Sequence, residues 1–317
     1  MKQLNQNEYV LSLMNLVVKT SVNDTVSGTR ANDLIDACMV DTNEYGEGEG
    51  IISVDTLKVH DYSDTSSVIT SEKPTMDEQF LETTDKKYIK VTINRWLAKG
   101  AFANEYAVAN CLSAIESMLE KTKLIYMYKK IVSAYENYTP TQATQTVYID
   151  LIDGEGMTGA DLNENEKANA LAVYKTVRGT SLAMQAPSRA YNDLEYEEMY
   201  NADDLDFIVN GKYDTLVNTY AYASLLQSDK LNNIKLYDKS IIIPKEQFSD
   251  AGVQAFTIGY LVSKKKYRIQ PRFTINTEFL DASTLNLQEY LHFWLNSAFV
   301  KGLAGVKFVA RINSPQA

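Results

Sequence analysis

The sequence predicts an α+β protein in which a long helix and several buried strands are joined to an extended polar arm. Three features of the 317-residue chain carry this prediction. Strand-type and helix-type runs follow one another without the strict alternation of a doubly wound sheet. Residues 101–138 form the longest helical pattern, and residues 24–84 are dominated by Ser, Thr, Asp, Glu and Gly. A polar segment with so few core residues is a poor domain by itself, so we expect it to contact another molecule.

The N-terminal third begins with a short helix and then becomes polar. An apolar stripe at helical spacing predicts an amphipathic helix over residues 8–20. Short strand-type runs follow at residues 51–54 and 57–59, and residues 87–97 are rich in β-forming side chains. We expect residues 46–95 to be the least protected part of the free chain, because their few apolar side chains cannot offset the entropy lost on ordering.

The central helix is apolar along two faces. Ile115 and Leu119 lie on the first face, whereas Leu124 and Ile131 lie on a second face in the distal half. Because a helix that is apolar on two sides must be covered on both, the pattern predicts a central strut. Pro140 ends this helix.

The rest of the chain contains shorter elements. A capping box at Asn163 and Glu166 marks the start of one of the helices. The predicted strands cover residues 146–152, 205–209, 241–243, 255–262, 267–279 and 306–312. The predicted helices cover residues 163–184, 213–226 and 287–299.

Composition excludes several classes of protein. The formal net charge is −10, whereas a dedicated nucleic-acid binder needs clustered Lys and Arg to neutralise phosphates. Cys38 and Cys111 are far apart, and His60 and His292 are isolated, so metal and redox sites lack ligands at a suitable spacing. No apolar run approaches the roughly 20 residues of a membrane span. The N-terminus has no secretion-signal pattern, so we expect a cytoplasmic product or one that is assembled there.

Residues 154–159 spell G-x-G-x-x-G between a predicted strand and a predicted helix, as in dinucleotide-binding loops. The phosphate would lie at the helix N-terminus, where Asp161, Glu164 and Glu166 place negative charge. Each carboxylate near a pyrophosphate would cost on the order of 1 kcal/mol. The second strand with its ribose-binding acid is missing, because residues 163–184 are predicted to be helical. We therefore interpret the motif as an ordinary glycine-rich loop.

Three other clusters of charged residues have ordinary explanations. The segment that starts at Asp41 opens like a calcium loop, but Tyr45 and Ile52 occupy ligand positions, which favours a solvated turn. Residues 195–198 contain three glutamates without a matched partner, as polar loops routinely do. Residues 264–266 are three lysines that form a basic cluster with Arg268 and Arg272. We interpret this cluster as a solvated turn in preference to a charged rim at a subunit contact or near packaged DNA.

One region of the second half resembles a known family. Residues 186–192 read A-P-S-R-A-Y-N, residues 201–210 read N-A-D-D-L-D-F-I-V-N, and residues 212–221 read K-Y-D-T-L-V-N-T-Y-A. In this order they resemble the axial-domain region of major capsid proteins from small short-tailed phages of the phi 29-like type. The order of elements over residues 85–310 also resembles the Hong Kong 97 capsid fold.

This resemblance implies a division of the chain. Residues 1–45 would be an N-terminal arm, and residues 46–100 an extended loop that lies over a neighbour. Residues 101–152 would hold the spine helix and the first part of the peripheral domain. Residues 153–262 would form the axial domain, and residues 263–317 would return to the peripheral domain.

The resemblance also implies a function. The chain would be a structural subunit, not an enzyme, that self-assembles into hexamers and pentamers of an icosahedral or prolate phage head. Its partners would be its own copies, portal and scaffolding proteins, and packaged double-stranded DNA held without sequence-specific binding. We expect no catalytic, cofactor-binding or metal-binding residues, no membrane, and a place in the virion after assembly in the host cytoplasm. The alternatives are an encapsulin-type compartment shell and, from the glycine motif alone, a nucleotide-dependent enzyme.

Overall fold

A computed structural model describes residues 30–40, 49–60, 73–93, 105–152, 159–226, 240–243, 257–281, 283 and 286–313. Its α-helices are α1 (Arg30–Cys38), α2 (Glu105–Glu136), α3 (Gly159–Ala183) and α4 (Gly211–Leu226). The first five strands are β1 (Glu49–Val54), β2 (Met76–Leu81), β3 (Thr83–Ile93), β4 (Thr146–Ile152) and β5 (Leu205–Asn210). The other five are β6 (Ser240–Ile243), β7 (Thr257–Ser263), β8 (Tyr267–Leu280), β9 (Leu287–Phe299) and β10 (Gly305–Asn313).

The chain divides into two compact units. The first unit comprises Met1–Gly48, Glu82–Ile131 and Ile269–Ser297. The second unit comprises Glu49–Leu81, Val132–Arg268 and Ala298–Ala317. Three of the five boundaries between the units fall within the long elements α2, β8 and β9, and neither unit is a continuous stretch of sequence.

The second unit is built on a five-stranded mixed sheet with the order β4-β10-β7-β5-β6. The two outer pairs, β10 with β4 and β5 with β6, are parallel, whereas β7 is antiparallel to both of its neighbours. Every residue of β5 and β7 is buried, which explains why these strands read as continuous apolar runs. Side chains from α3 and α4 complete the core of this unit.

Gly259 marks a close approach in the middle of this sheet. A Cβ atom at this position would lie 2.6 Å from the Ile208 carbonyl oxygen and 3.1 Å from the Val209 Cα. Because both are backbone atoms of β5, they cannot move aside as a side chain would. The pairing of β7 with β5 therefore requires a residue without a side chain at position 259.

The first unit holds a three-stranded sheet with the order β3-β9-β8. Strand β3 is antiparallel to β9, and their register pairs Tyr88 with His292 and Ile89 with Leu291. One face of the sheet contacts α2, where the Tyr126 ring meets the Phe293 ring edge-on at 5.6 Å. Lys130 of α2 also forms an ion pair with Asp85 of β3.

The helix predicted at residues 287–299 is wrong, because this segment forms strand β9. Burial alternates along it, with Glu289, Leu291, Phe293 and Leu295 buried and the residues between them more exposed. Leu, Gln and Glu favour helices locally, yet pairing on both sides within a sheet outweighs that weak preference. The period-two pattern was the signal for a strand.

The long central helix is confirmed as α2, and both of its predicted apolar faces contain buried side chains. Leu119 on the first face and Ile131 on the second are buried, whereas Ile115 and Leu124 are half-buried. Ile125, which is 46% exposed, belongs to neither predicted face.

Most of the other predicted elements are confirmed with small shifts at their ends. Strand β3 begins four residues earlier than the predicted strand at 87–97, and residues 94–97 of that prediction lie outside the described residues. Residues 57–59 do not form a strand. The predicted helix at residues 8–20 lies outside the described residues.

Strands β1 and β2 form a separate antiparallel pair, which we call the hairpin. They lie within the polar segment, for which we expected little order in the free chain. The strands are nevertheless paired along their full length, and they contact other parts of the second unit. Their lower protection relative to the rest of the chain stays a prediction.

Candidate functional site

The strand register gives the hairpin two different faces. Residues directly opposite one another across an antiparallel pair project to the same side. Val54 therefore shares a face with Met76, Ile52 with Glu78, and Gly50 with Phe80. The four apolar side chains of this face are 48–64% exposed: Ile52, Val54, Met76 and Phe80. We call this surface the apolar hairpin face.

The opposite face of the hairpin is held by polar contacts within the second unit. The Gln79 side chain donates a hydrogen bond to the Phe299 carbonyl oxygen at 2.7 Å and accepts one from the Lys301 amide at 3.1 Å. A side chain at Gly302 would overlap Ser53, so glycine allows the close approach. Leu81, at the end of β2, is 1% exposed. One face of the hairpin thus contacts other parts of the second unit, whereas the apolar hairpin face is exposed.

Asp55, the residue immediately after β1, anchors the hairpin to the loop that contains Arg189 and Glu197. Its carboxylate accepts hydrogen bonds from the Glu197 amide at 3.0 Å, the Thr56 amide at 2.9 Å and the Arg189 guanidinium at 3.1 Å. The Glu197 hydrogen bond is the largest cause that lowers the pKa of Asp55, and the Thr56 amide and Arg189 add to it. Arg189 also donates to the carbonyl oxygen of Glu195, whose φ of 58° is unusual for a residue other than glycine.

The three glutamates of residues 195–198 therefore lie around this loop contact. The Glu197 carboxylate is 3.7 Å from the Arg189 guanidinium, and the Glu198 backbone pairs with Ser188. Burial and the Asp55 charge raise the pKa of Glu198. These contacts fit a structural role in holding the hairpin.

The three-stranded sheet of the first unit has a face rich in aromatic and lysine side chains. Tyr290 and His292 stack with ring centres 6.0 Å apart, and Tyr88 contacts both rings. Lys86 lies 4.7 Å from the centre of the Trp294 ring, and Lys90 lies 5.5 Å from that of Tyr290. Phe273 of β8 packs on Trp294 at 4.9 Å. We call this surface the aromatic face; it consists of Lys86, Tyr88, Lys90, Phe273, Tyr290, His292 and Trp294.

Charge is distributed unevenly between the two faces of this sheet. Strand alternation places Asp85 and Glu289 on the face that contacts α2. Glu278 follows Thr277, which bonds His292 on the aromatic face, and so projects to the α2 side as well. Among the described residues of β3, β8 and β9, no carboxylate lies on the aromatic face. This surface is therefore basic in a chain whose net charge is −10.

Two buried carboxylates meet on the other side of the sheet. Glu116 of α2 is 8% exposed and Glu289 is fully buried. Asn276 donates a hydrogen bond to Glu289 Oε1 at 2.7 Å, whereas the Oε2 atoms of Glu116 and Glu289 have no partner among the described residues. Burial raises the pKa of Glu116, and the Glu289 charge raises it further. The pKa of Glu278 is raised for the same two reasons.

We expect Glu116→Gln to stabilise the protein at pH 7 by roughly 1 kcal/mol, because it removes a buried charge that lacks a partner. A carboxyl group whose pKa is raised by folding contributes most stability below its unfolded value, here 4.5, and loses it as the pH rises through the folded value. The gain in the thermal midpoint should therefore shrink between pH 7 and pH 5.

Thermal melts at both pH values test this expectation. Glu120→Gln is the matched control, because Glu120 lies one turn along the same helix and pairs with Lys123 at 3.6 Å near the surface. The expectation is wrong if Glu116→Gln and Glu120→Gln change the midpoint equally at both pH values.

Lys266 corrects the interpretation of the lysine run as a solvated turn. Lys264 is exposed, but Lys266 is fully buried. Its ammonium group donates hydrogen bonds to Asp193 at 2.8 Å and to the Leu303 carbonyl oxygen at 2.7 Å, and it lies 5.9 Å from the Tyr138 ring centre. Burial lowers the pKa of Lys266, and the Asp193 charge opposes this shift. The sequence signal for this burial was the position of Lys266, which immediately precedes the buried first residue of β8.

The remaining candidate residues are only partly described. The calcium-like segment from Asp41 to Gly48 and residues 154–158 of the glycine motif lie outside the described residues. Cys38 is buried. In the described part of the chain, no group of three or more His, Cys, Asp or Glu side chains is arranged to hold a metal ion.

None of the described helices is both long enough and apolar enough to span a membrane.

Comparison with known proteins identifies the family. A family model described as Phi29-like phage major capsid protein matches residues 1–301. This chain belongs to that family. A major capsid protein is a structural component of the phage shell, and the chain is accordingly part of a virion. No curated protein sequence matched the chain significantly.

Several solved phage capsid structures share the fold of this capsid protein. The capsid structure of Staphylococcus phage Andhra matches with a TM-score of 0.60 at 11% identity and covers 92% of this chain and 87% of that chain. The capsid of the cyanophage P-SCSP1u matches with a TM-score of 0.54 at 11% identity, covering 94% of both chains. The capsid of the native GTA particle gives 0.52 at 11% identity, with 92% and 93% covered. Identities this low show likeness of fold alone.

Proposed function

We propose that this major capsid protein assembles into hexamers and pentamers of an icosahedral or prolate head that encloses double-stranded DNA. The family match over residues 1–301 is the observation that carries the proposal. It also favours a phage head over an encapsulin-type compartment. Two large exposed surfaces, the apolar hairpin face and the aromatic face, support it further, because contiguous exposed apolar surface is typical of protein–protein contacts.

The proposed architecture is the Hong Kong 97 type. Residues 1–45 act as the N-terminal arm, and residues 46–100, which contain the hairpin, as the extended loop. Residues 101–152 contain the spine helix α2 and begin the peripheral domain. Residues 153–262 form the axial domain, and residues 263–317 return to the peripheral domain. The likeness to the Andhra capsid supports this proposal at the level of the fold.

The proposed partners follow from the same function. Portal and scaffolding proteins direct assembly in the host cytoplasm, and the finished shell holds DNA without reading its sequence. A net charge of −10 supports weak contact with DNA, because like charge keeps a polyanion from adhering to the wall. The subunit itself carries out no catalysis.

Assembly and hydrogen exchange test the proposal together. The purified chain, alone or with a lysate that supplies scaffold, should form closed particles visible by electron microscopy. Amides of residues 49–54 and 76–81 should exchange more slowly in particles than in free subunits, because the open side of the hairpin becomes covered.

A strictly monomeric species at high concentration under both conditions would contradict the proposed assembly. Equal exchange in subunit and particle would retain assembly but exclude the hairpin from the contacts. A particle preparation from infected cells that lacks DNA would favour the compartment shell instead.

A further inference from the structure

Glu289 places a carboxylate in the interior of the first unit. It lies near the start of β9 and projects towards α2, on the same side as Phe293, whose ring meets Tyr126 of the helix. Its side chain is fully buried, and its neighbours on this side of the strand, Leu291 and Phe293, are buried too. A carboxylate in such surroundings is unfavourable unless hydrogen bonds or an opposite charge compensate it.

Within the described residues, one oxygen of this carboxylate has a hydrogen-bond donor and the other has none. Asn276 of β8 donates to Oε1 at 2.7 Å, whereas Oε2 is buried without a partner. Glu116 of α2, which is 8% exposed, has a buried Oε2 atom in the same situation. Burial raises the pKa of Glu116 and the Glu289 charge raises it further, so the two carboxylates lie within electrostatic range of one another. We call Glu116 and Glu289 the glutamate pair.

The lysines nearest to the glutamate pair are bound to other carboxylates. Lys123, about two turns along α2 from Glu116, forms an ion pair with Glu120 at 3.6 Å. Lys130, further along the same helix, forms an ion pair with Asp85 of β3. Each of the two lysines thus already has a carboxylate close to its ammonium group.

The other charged groups on this side of the sheet are either acidic or distant. Glu278 of β8 adds a third carboxylate; burial raises its pKa, and the Glu289 charge raises it further. Lys87 lies four residues along β3 from the position opposite Glu289, about 13 Å away. Arg272 lies at the same separation along β8 from Asn276. The described titratable groups that face this contact are Glu120, Lys123, Tyr126 and Lys130 of α2, Asp85 and Lys87 of β3, and Arg272 and Glu278 of β8.

We infer that the glutamate pair binds one proton between its two Oε2 atoms, and that this proton tightens the contact between α2 and the three-stranded sheet. The protonated carboxyl group donates its O–H to the other carboxylate, so both buried oxygens gain a partner in one hydrogen bond. The proton also removes one of two like charges that are unfavourable close together in the interior. Without the proton, the two charges repel each other across the contact and loosen it.

The dependence on pH follows from the direction of these shifts. A carboxyl group whose pKa is raised by folding adds stability below its unfolded value, 4.5 for Glu116, and loses it as the pH rises through the folded value. Proton binding therefore tightens the contact on the acidic side of neutrality, and proton release loosens it as the pH rises. The glutamate pair is thus a pH-sensitive switch within one subunit, and it operates without contacts between copies.

A metal ion fits the glutamate pair less well than a proton does. Calcium takes about six to eight oxygen ligands, and magnesium keeps several waters. The pair offers two buried oxygens, and no group of three or more His, Cys, Asp or Glu side chains in the described ranges is arranged to hold a metal ion. A proton needs only the two oxygens that lack a partner.

Hydrogen exchange of the free, full-length subunit at pH 5 and pH 7 tests the switch. After correction for the intrinsic effect of pH on exchange, amides of residues 115–125 in α2 should be about tenfold more protected at pH 5 than at pH 7. In Glu116→Gln the side-chain amide donates to Glu289 at either pH, so protection at pH 7 should match that of the unaltered chain at pH 5. The tenfold difference should therefore disappear in this variant.

Glu120→Gln is the matched control, because it makes the same change one turn along α2 at a carboxylate that already pairs with Lys123. It should keep the difference in protection between the two pH values. Glu289→Gln makes the test from the sheet, because its amide oxygen can still accept from Asn276 while its nitrogen donates to Glu116. This variant takes the place of Glu116→Gln if the latter does not fold.

Equal protection at both pH values in the unaltered chain would overturn the switch without any variant. A difference that persists in Glu116→Gln, or one that disappears equally in Glu120→Gln, would overturn it as well. Calcium chloride added at pH 7 should not increase the protection of residues 115–125. If it does, and Glu116→Gln abolishes the increase, the pair holds a cation and the shared proton is excluded.

Discussion

Lys266→Ala is expected to lower the free energy of unfolding by about 3–5 kcal/mol. The substitution leaves the Asp193 carboxylate buried without its cation, and the Leu303 carbonyl oxygen loses a donor. Breaking a buried ion pair from one side costs more than the pair contributes, because the remaining charge is desolvated without compensation. Equilibrium urea denaturation of the free subunit measures the change.

Two further variants isolate the cause. Lys264→Ala removes an exposed lysine from the same turn and should change stability by less than about 0.5 kcal/mol. Lys266→Met combined with Asp193→Leu removes both charges, so it should recover a large part of the loss seen with Lys266→Ala. Equal losses for the single and the double variant would mean that packing volume, not the unpaired carboxylate, determines stability here.

Ile131→Ala is expected to cost about 2–5 kcal/mol, because the side chain is completely buried in α2 and its removal leaves a cavity. Ile115→Ala, at a half-buried position of the first face, should cost clearly less. Ile125→Ala makes the same chemical change at a position that is 46% exposed and should have little effect. The thermal midpoints of the three variants, measured together with their particle yields, test this ranking.

Equal melting temperatures for Ile131→Ala and Ile125→Ala would mean that the buried side of α2 has been misplaced. A loss of particles without a change in melting would show that Ile131 acts at a contact between copies.

The local patterns of the sequence identified most elements of the second unit. Strands such as β5 and β7 are buried on both sides, so they appear as short continuous apolar runs bounded by polar residues. The apolar spacing identified helix α3, but the predicted capping box at Asn163 and Glu166 is wrong, because the helix begins at Gly159 and both residues lie within it. The resemblance at residues 186–221 identified the family, and that identification is confirmed.

The features that the sequence could not reveal depend on distant partners. The local sequence of β9 resembles that of a helix. Its alternation of buried and exposed residues specifies a strand only because β3 and β8 pair with it on either side. In the sequence Lys266 resembles the two lysines before it, and its burial becomes evident only when Asp193, 73 positions away, lies beside its ammonium group. The aromatic face is divided among β3, β8 and β9, so no short window of sequence contains it.

The hydrogen bonds of Gln79 have a consequence for the kinetics of head formation. Because they fix the hairpin before any neighbour arrives, the entropy of ordering its strands is lost when the chain folds, not when it docks. Each arriving subunit then presents a rigid surface, and its association rate depends on encounter and orientation alone. We therefore expect growth of a shell to follow subunit concentration without a slow rearrangement step after each addition.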